Sequence, residues 1–81
     1  MMNNIQQRVT RCFSNVFPDL SEHEIPRAST TSIAAWDSVA HVTLLSAIAE
    51  EFGHTLELED FEELTSYRLI VDRLENAKQN A

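Results

Sequence analysis

The sequence predicts a small all-α protein, a four-helix bundle with three main helices, one short helix and a long loop between the first two. Three observations lead there. Apolar residues recur at helical spacing in three separate segments. A single stretch alternates in the manner of a strand, and it has no second run to pair with. The two prolines and the one glycine stand between the helical segments rather than within them.

The first helix starts at Ile5, and Val9, Cys12, Phe13 and Val16 continue its apolar stripe until Pro18 ends it. Residues 18–36 follow without periodicity, through Pro26 and the run Ser29, Thr30, Thr31 and Ser32, and read as a loop. Loops of this length in a small domain are usually functional or disordered. Leu20, Ile25, Ile33 and Trp36 are expected to pin this one to the core. A second helix opens at Asp37 and Ser38, either of which can cap it, and continues through Val39, Val42, Leu45, Ile48 and Phe52. Gly53, the only glycine, is its natural stop. Residues 54–59 read as an extended linker despite their alternation. A short helix over 60–64 is expected to bury Phe61 and Leu64. Thr65 and Ser66 then cap a last helix that packs Tyr67, Ile70, Val71 and Leu74, and residues 76–81 are expected to fray.

A chain of 81 residues reads as one domain, 1–81, and hides only about 60% of the surface its unfolded form exposes, so a deep active-site cleft is not expected. Its apolar content of 43% is enough to fold. Six basic residues against thirteen acidic ones give a net charge of -7, which disfavours nucleic acid and anionic membranes and favours partners with basic surfaces. The charge is uneven. No Lys or Arg lies between Arg27 and Arg68, whereas Asp37, Glu50, Glu51, Glu57, Glu59, Asp60, Glu62 and Glu63 fall within that interval. Cys12 is the sole cysteine, so no intramolecular disulfide forms, and a reducing, cytoplasmic setting fits best. The first residues, MMNNIQQRVTR, lack the apolar centre of a signal peptide, and the longest apolar run, Ile33 to Trp36, is four residues, far short of a membrane span. A monomer without export signal or anchor is the expectation.

Ser38 stands beside Asp37 and three residues before His41, which invites a Ser/His/Asp reading. On one helix, however, the acid is adjacent to the serine and cannot readily orient the far nitrogen of the imidazole. No G-x-S-x-G elbow surrounds the serine either. Cys12, His23, His41 and His54 lack the close paired spacing of zinc sites, so no metal is expected. A single glycine excludes the phosphate-binding loops of nucleotide enzymes. What remains is a serine at the start of the longest helix, after a long loop and within the acidic stretch. A serine there can also be a simple helix cap.

The segment Trp36-Asp37-Ser38-Val39, followed by an amphipathic run to Glu50-Glu51-Phe52-Gly53, resembles the signature of acyl carrier proteins and related phosphopantetheine-binding domains. In that family an Asp-Ser-Leu-type motif opens the second helix, which closes on an acidic pair, Phe and Gly. Val39 replaces the commoner leucine. The resemblance extends over nearly the whole chain and implies a discrete carrier that is not itself an enzyme. A separate phosphopantetheinyl transferase would use coenzyme A to attach 4′-phosphopantetheine covalently to Ser38, and the arm would carry acyl groups as thioesters.

By that resemblance Asp37 helps place the metal or the transferase, and Val39 is the adjoining hydrophobic contact. Val39, His41, Glu50, Glu51, Glu57 and Asp60 are the expected partner-recognition residues, read by acyl-loading and acyl-using enzymes. Ala40, His41, Thr43 and Ala49 stand where carriers of primary fatty-acid synthesis usually place acids, which points to a dedicated pathway. Two alternatives stay open: an aminoacyl or peptidyl carrier, and an unmodified helical interaction module in which Ser38 is only a cap. His41 itself reads as a surface histidine, with contact to the arm or the transferase as the alternative.

Overall fold

In a computed structural model, residues 3–53 and 55–79 are described, the side chains of 77–79 excepted. They form a small all-α bundle of four helices: α1 Asn4–Val16, α2 Ser38–Phe52, the short α3 Leu58–Glu63 and α4 Tyr67–Gln79, with one 3₁₀ turn at Ile25–Arg27. No named strand occurs among the described residues. The radius of gyration, 11.7 Å, matches the ~12 Å of a packed chain of this length.

α1 begins with a reciprocal capping box that sequence reading missed. Asn3 Oδ1 accepts the Gln6 N–H at 2.8 Å, and Gln6 Oε1 accepts the Asn3 N–H at 3.0 Å. Its stripe buries Ile5, Val9, Cys12 and Phe13. Phe13 is the centre of the aromatic core, with Trp36 edge-on at 5.3 Å and Tyr67 at 5.5 Å between ring centres. The loop is pinned as expected: Ile25 and Trp36 are buried, and Leu20 and Ile33 pack partly against the core.

Two further ties hold the loop, and neither follows from apolar pattern. The turn 21–24 is closed from both sides: Ser21 N–H donates to Glu24 Oε1, and Glu24 N–H to Ser21 Oγ. The first of these bonds holds the exposed Glu24 carboxyl below the usual carboxylate range. At Ser29 an isolated antiparallel bridge to Ser66 joins the loop to the start of α4, with Thr30 N–H donating to Thr65 O and Tyr67 N–H to Ala28 O, both at 3.0 Å. The Ser/Thr run folds on itself, Ser29 N–H reaching Ser32 Oγ at 3.0 Å.

The bounds of α2 agree with expectation: Asp37 is the N-cap, and Gly53 closes the helix at φ 67, the left-handed conformation that favours glycine. Its inward face differs. Leu44, Leu45 and Ile48 are buried and Phe52 is half-buried, while Val39 and Val42 are 76% and 53% exposed. The expected stripe through residues 39 and 42 is therefore rotated, and the inward line runs 41, 44, 45, 48 and 52. Because α2 carries aliphatic residues on every side, spacing alone does not choose its phase.

α3 starts two residues earlier than the spacing indicated, with Glu57 as its N-cap. Leu64 is buried, but Phe61 is only half-buried. α4 is capped by Ser66, whose Oγ accepts the Leu69 N–H at 3.2 Å. The backbone of 76–79 is helical rather than frayed, whereas residues 80 and 81 and His54 lie outside the described residues. No described helix is long and apolar enough to cross a membrane.

Candidate functional site

The head of α2 is built by its N-cap. Asp37 is extended, and its Oδ1 accepts the Ala40 N–H at 2.9 Å while its carbonyl accepts the His41 N–H at 2.8 Å. Ser38 is thus the first helical residue and not the cap. Its side chain is exposed, and its hydroxyl makes no hydrogen bond among the described residues. The backbone N–H groups of Ser38 and Val39 also have no protein acceptor among those residues, as befits a first helical turn. The positive end of the helix dipole therefore faces solvent beside a free hydroxyl.

His41 is not a surface histidine. The buried Trp36 donates its indole N–H to His41 Nδ1 at 2.9 Å, and His41 Nε2 lies 2.6 Å from the Phe61 carbonyl oxygen in α3. A carbonyl only accepts and an indole N–H only donates. The proton therefore sits on Nε2, Nδ1 carries a lone pair, and the ring is neutral. With both nitrogens occupied, the half-buried His41 is not placed to act as a base for Ser38. The triad reading fails on geometry as well as on sequence.

Of the acids assigned to partner recognition, Glu50 and Glu57 are exposed on α2 and at the head of α3. Asp60 is corrected. It is 1% exposed, its Oδ1 pairs with Arg73 Nη1 at 2.9 Å, and its Oδ2 accepts the Glu57 N–H at 2.8 Å. It caps α3 and joins it to α4, so no partner can reach it. Glu51 stays exposed but is paired: Arg8 binds its carboxylate at 2.9 Å and its carbonyl at 2.6 Å, and lies 4.2 Å over the Phe52 ring. The exposed acids of the interval are Asp37, Glu50, Glu51, Glu57, Glu59, Glu62 and Glu63, of which Glu51 is paired with Arg8.

Exposed apolar side chains occur on both α2 and α3. Val39 and Val42 stand on the outer face of α2, and Leu58, 77% exposed, opens α3. The family resemblance puts Val39 there, although the helical spacing turns it inward. Val42 and Leu58 were not expected there, since nothing in an aliphatic residue's identity says which way it faces. Between α2, α3 and α4 a cavity of about 30 Å³ is lined by Ile48, Leu56, Leu64, Ile70 and Leu74 together with Asp60 and Arg73. It has room for a water molecule and not for an acyl chain. Among the described residues no cluster of His, Cys, Asp or Glu could hold a metal ion.

No family model matches the chain, and neither the curated proteins nor the solved structures give a significant match.

Proposed function

We propose that this protein is a discrete acyl carrier, modified at Ser38 with 4′-phosphopantetheine and serving a dedicated biosynthetic pathway. One observation carries the reading: Asp37 performs the capping, which leaves the adjacent serine hydroxyl exposed and unbonded at the positive end of a 15-residue helix. A serine needed only as a cap would be bonded to the first turn.

The chemistry asked of the chain is small. Ser38 Oγ forms a bond to the phosphorus of the pantetheine-side phosphate of coenzyme A, its proton passes to a base on the transferase, and 3′,5′-ADP leaves with the electron pair of the broken P–O bond. The resulting phosphodiester stands in the field of the α2 N-terminus, which favours an anion. Once attached, the arm supplies a terminal thiol that holds acyl groups as thioesters. The cavity of about 30 Å³ between α2, α3 and α4 is too small as it stands to take an acyl chain. Val39 and Val42, one residue and one turn after Ser38 on α2, offer exposed apolar contact beside the attachment point. The exposed acids Glu50, Glu57, Glu59, Glu62 and Glu63 would steer basic partner surfaces into brief, salt-sensitive encounters.

The test is intact mass after incubation with coenzyme A, Mg²⁺ and a broad-specificity phosphopantetheinyl transferase. A gain of one phosphopantetheine supports the carrier, and an unchanged mass favours an unmodified interaction module.

A further inference from the structure

Three elements meet at one imidazole. Trp36, the last core residue of the long loop, stands directly before Asp37 and Ser38, so its placement sets where the cap and the attachment point emerge. Its indole N–H has one partner, His41 Nδ1, at 2.9 Å. On the other side of the same ring, Nε2 reaches the Phe61 carbonyl at 2.6 Å. That contact holds α3, which presents the exposed Leu58 one turn earlier, against α2. The rings are also in contact: His41 lies 5.8 Å from Trp36, tilted by 40°, and 6.3 Å, edge-on, from Phe61. No ion pair involves the imidazole among the described residues. The acids beside the three elements in sequence are Asp37, the N-cap of α2, and Asp60 and Glu62, which flank Phe61, and Asp60 is turned to Arg73.

We propose that His41, fixed as the Nε2–H tautomer between Trp36 and Phe61, is the positioning residue that sets the surface presented around Ser38. It joins the loop end that delivers the serine to the helix that carries Leu58. The proposal deepens the carrier reading and rests on it for what that surface is used for. The clasp needs a side chain that accepts on one side and donates on the other, a requirement that neutral histidine meets and an ordinary core residue does not. Loss of the clasp shifts the apolar and acidic groups that a transferase docks on, while the hydroxyl and its chemistry are unchanged. The effect therefore falls on KM rather than kcat.

Two measurements test this. The first needs no partner: ¹⁵N-resolved NMR of the histidine rings should show His41 with a protonated Nε2, a bare Nδ1 and a Trp36 indole proton shifted by a hydrogen bond. The opposite tautomer, or a ring exchanging between the two, overturns the clasp. The second is transferase kinetics on the wild type, His41→Ala, His41→Asn and Trp36→Phe, each verified as folded by circular dichroism. His41→Ala should raise KM about tenfold with kcat within about twofold, since a small displacement of docking groups is felt in association. His41→Asn, which keeps an acceptor for Trp36, should recover part of the loss. Trp36→Phe removes the donor along with some of the core volume packed on Phe13 and Phe17, and keeps His41, so where it folds it tests the same link should His41→Ala fail to fold. A modified wild type whose folded variants all share its KM and kcat overturns the positioning role. An unmodified wild type sinks the carrier reading itself, and the role of His41 with it.

Discussion

Asp37 Oδ1 accepts the backbone N–H of Ala40 at 2.9 Å, and this one bond separates the cap of α2 from the serine that follows it. Asp37→Ala should cost about 1 kcal/mol of stability, the usual worth of an N-cap, whereas Ser38→Ala should stay within about 0.5 kcal/mol, as for an exposed residue without partners. Chemical denaturation of the two variants checks the difference. A larger loss from Ser38→Ala would return the serine to a capping role.

The pair Asp60 and Arg73 is asymmetric, one carboxylate 2% exposed and one guanidinium side chain 48% exposed. Arg73→Ala strands a buried charge and should cost about 2–3 kcal/mol, while Asp60→Asn leaves an arginine that can turn to water and an amide oxygen that still accepts from Glu57, and should cost about 1 kcal/mol. Urea midpoints decide. Equal losses would mean that solvent already reaches Asp60.

Burial pushes the Cys12 thiol up, and the charge of Glu51 adds in the same direction against the opposing effect of Arg11 and Arg8. At neutral pH the thiolate fraction is small and the residue is only 6% exposed, so a thiol-reactive maleimide should label the folded apo-protein slowly. A phosphopantetheine arm would add one fast-reacting thiol. Rapid labelling of the unmodified protein would show that Cys12 is accessible after all.

Much of the fold is legible in the residues themselves, because Pro18, Asp37, Gly53 and Ser66 act locally on the backbone next to them. The inward face of α2 is not, since Val39, Val42, Leu44, Leu45 and Ile48 are alike as hydrophobes and tertiary packing alone chooses among them. The site divides in the same way. Ser38 is legible at a helix start, but its free hydroxyl depends on Asp37 taking the cap, a choice between neighbours that their residue types leave open. The burial of Asp60 depends on Arg73, thirteen positions away, and the clasp of His41 depends on a carbonyl twenty positions away. Side-chain type says nothing of partners that only the fold brings near, so both residues read as surface groups in the sequence.

The acids left exposed on α2 and α3, with a chain charge of -7, predict association governed by electrostatics. Transferase association should slow steadily as ionic strength rises and the Debye length contracts from about 10 Å at 0.1 M toward about 3 Å at 1 M. Stopped-flow rates across a salt series measure this. A flat profile would remove the steering role given to Glu50, Glu57, Glu59, Glu62 and Glu63.

The most direct test is to locate the modification on the chain. Wild type and Ser38→Ala, each folded, are treated in parallel with coenzyme A, Mg²⁺ and the transferase, digested, and read by tandem mass spectrometry. One phosphopantetheine on the peptide containing Trp36-Asp37-Ser38-Val39, borne by Ser38 and missing from the alanine variant, is the result expected. No adduct on wild type, or an adduct that persists on Ser38→Ala, would contradict the account.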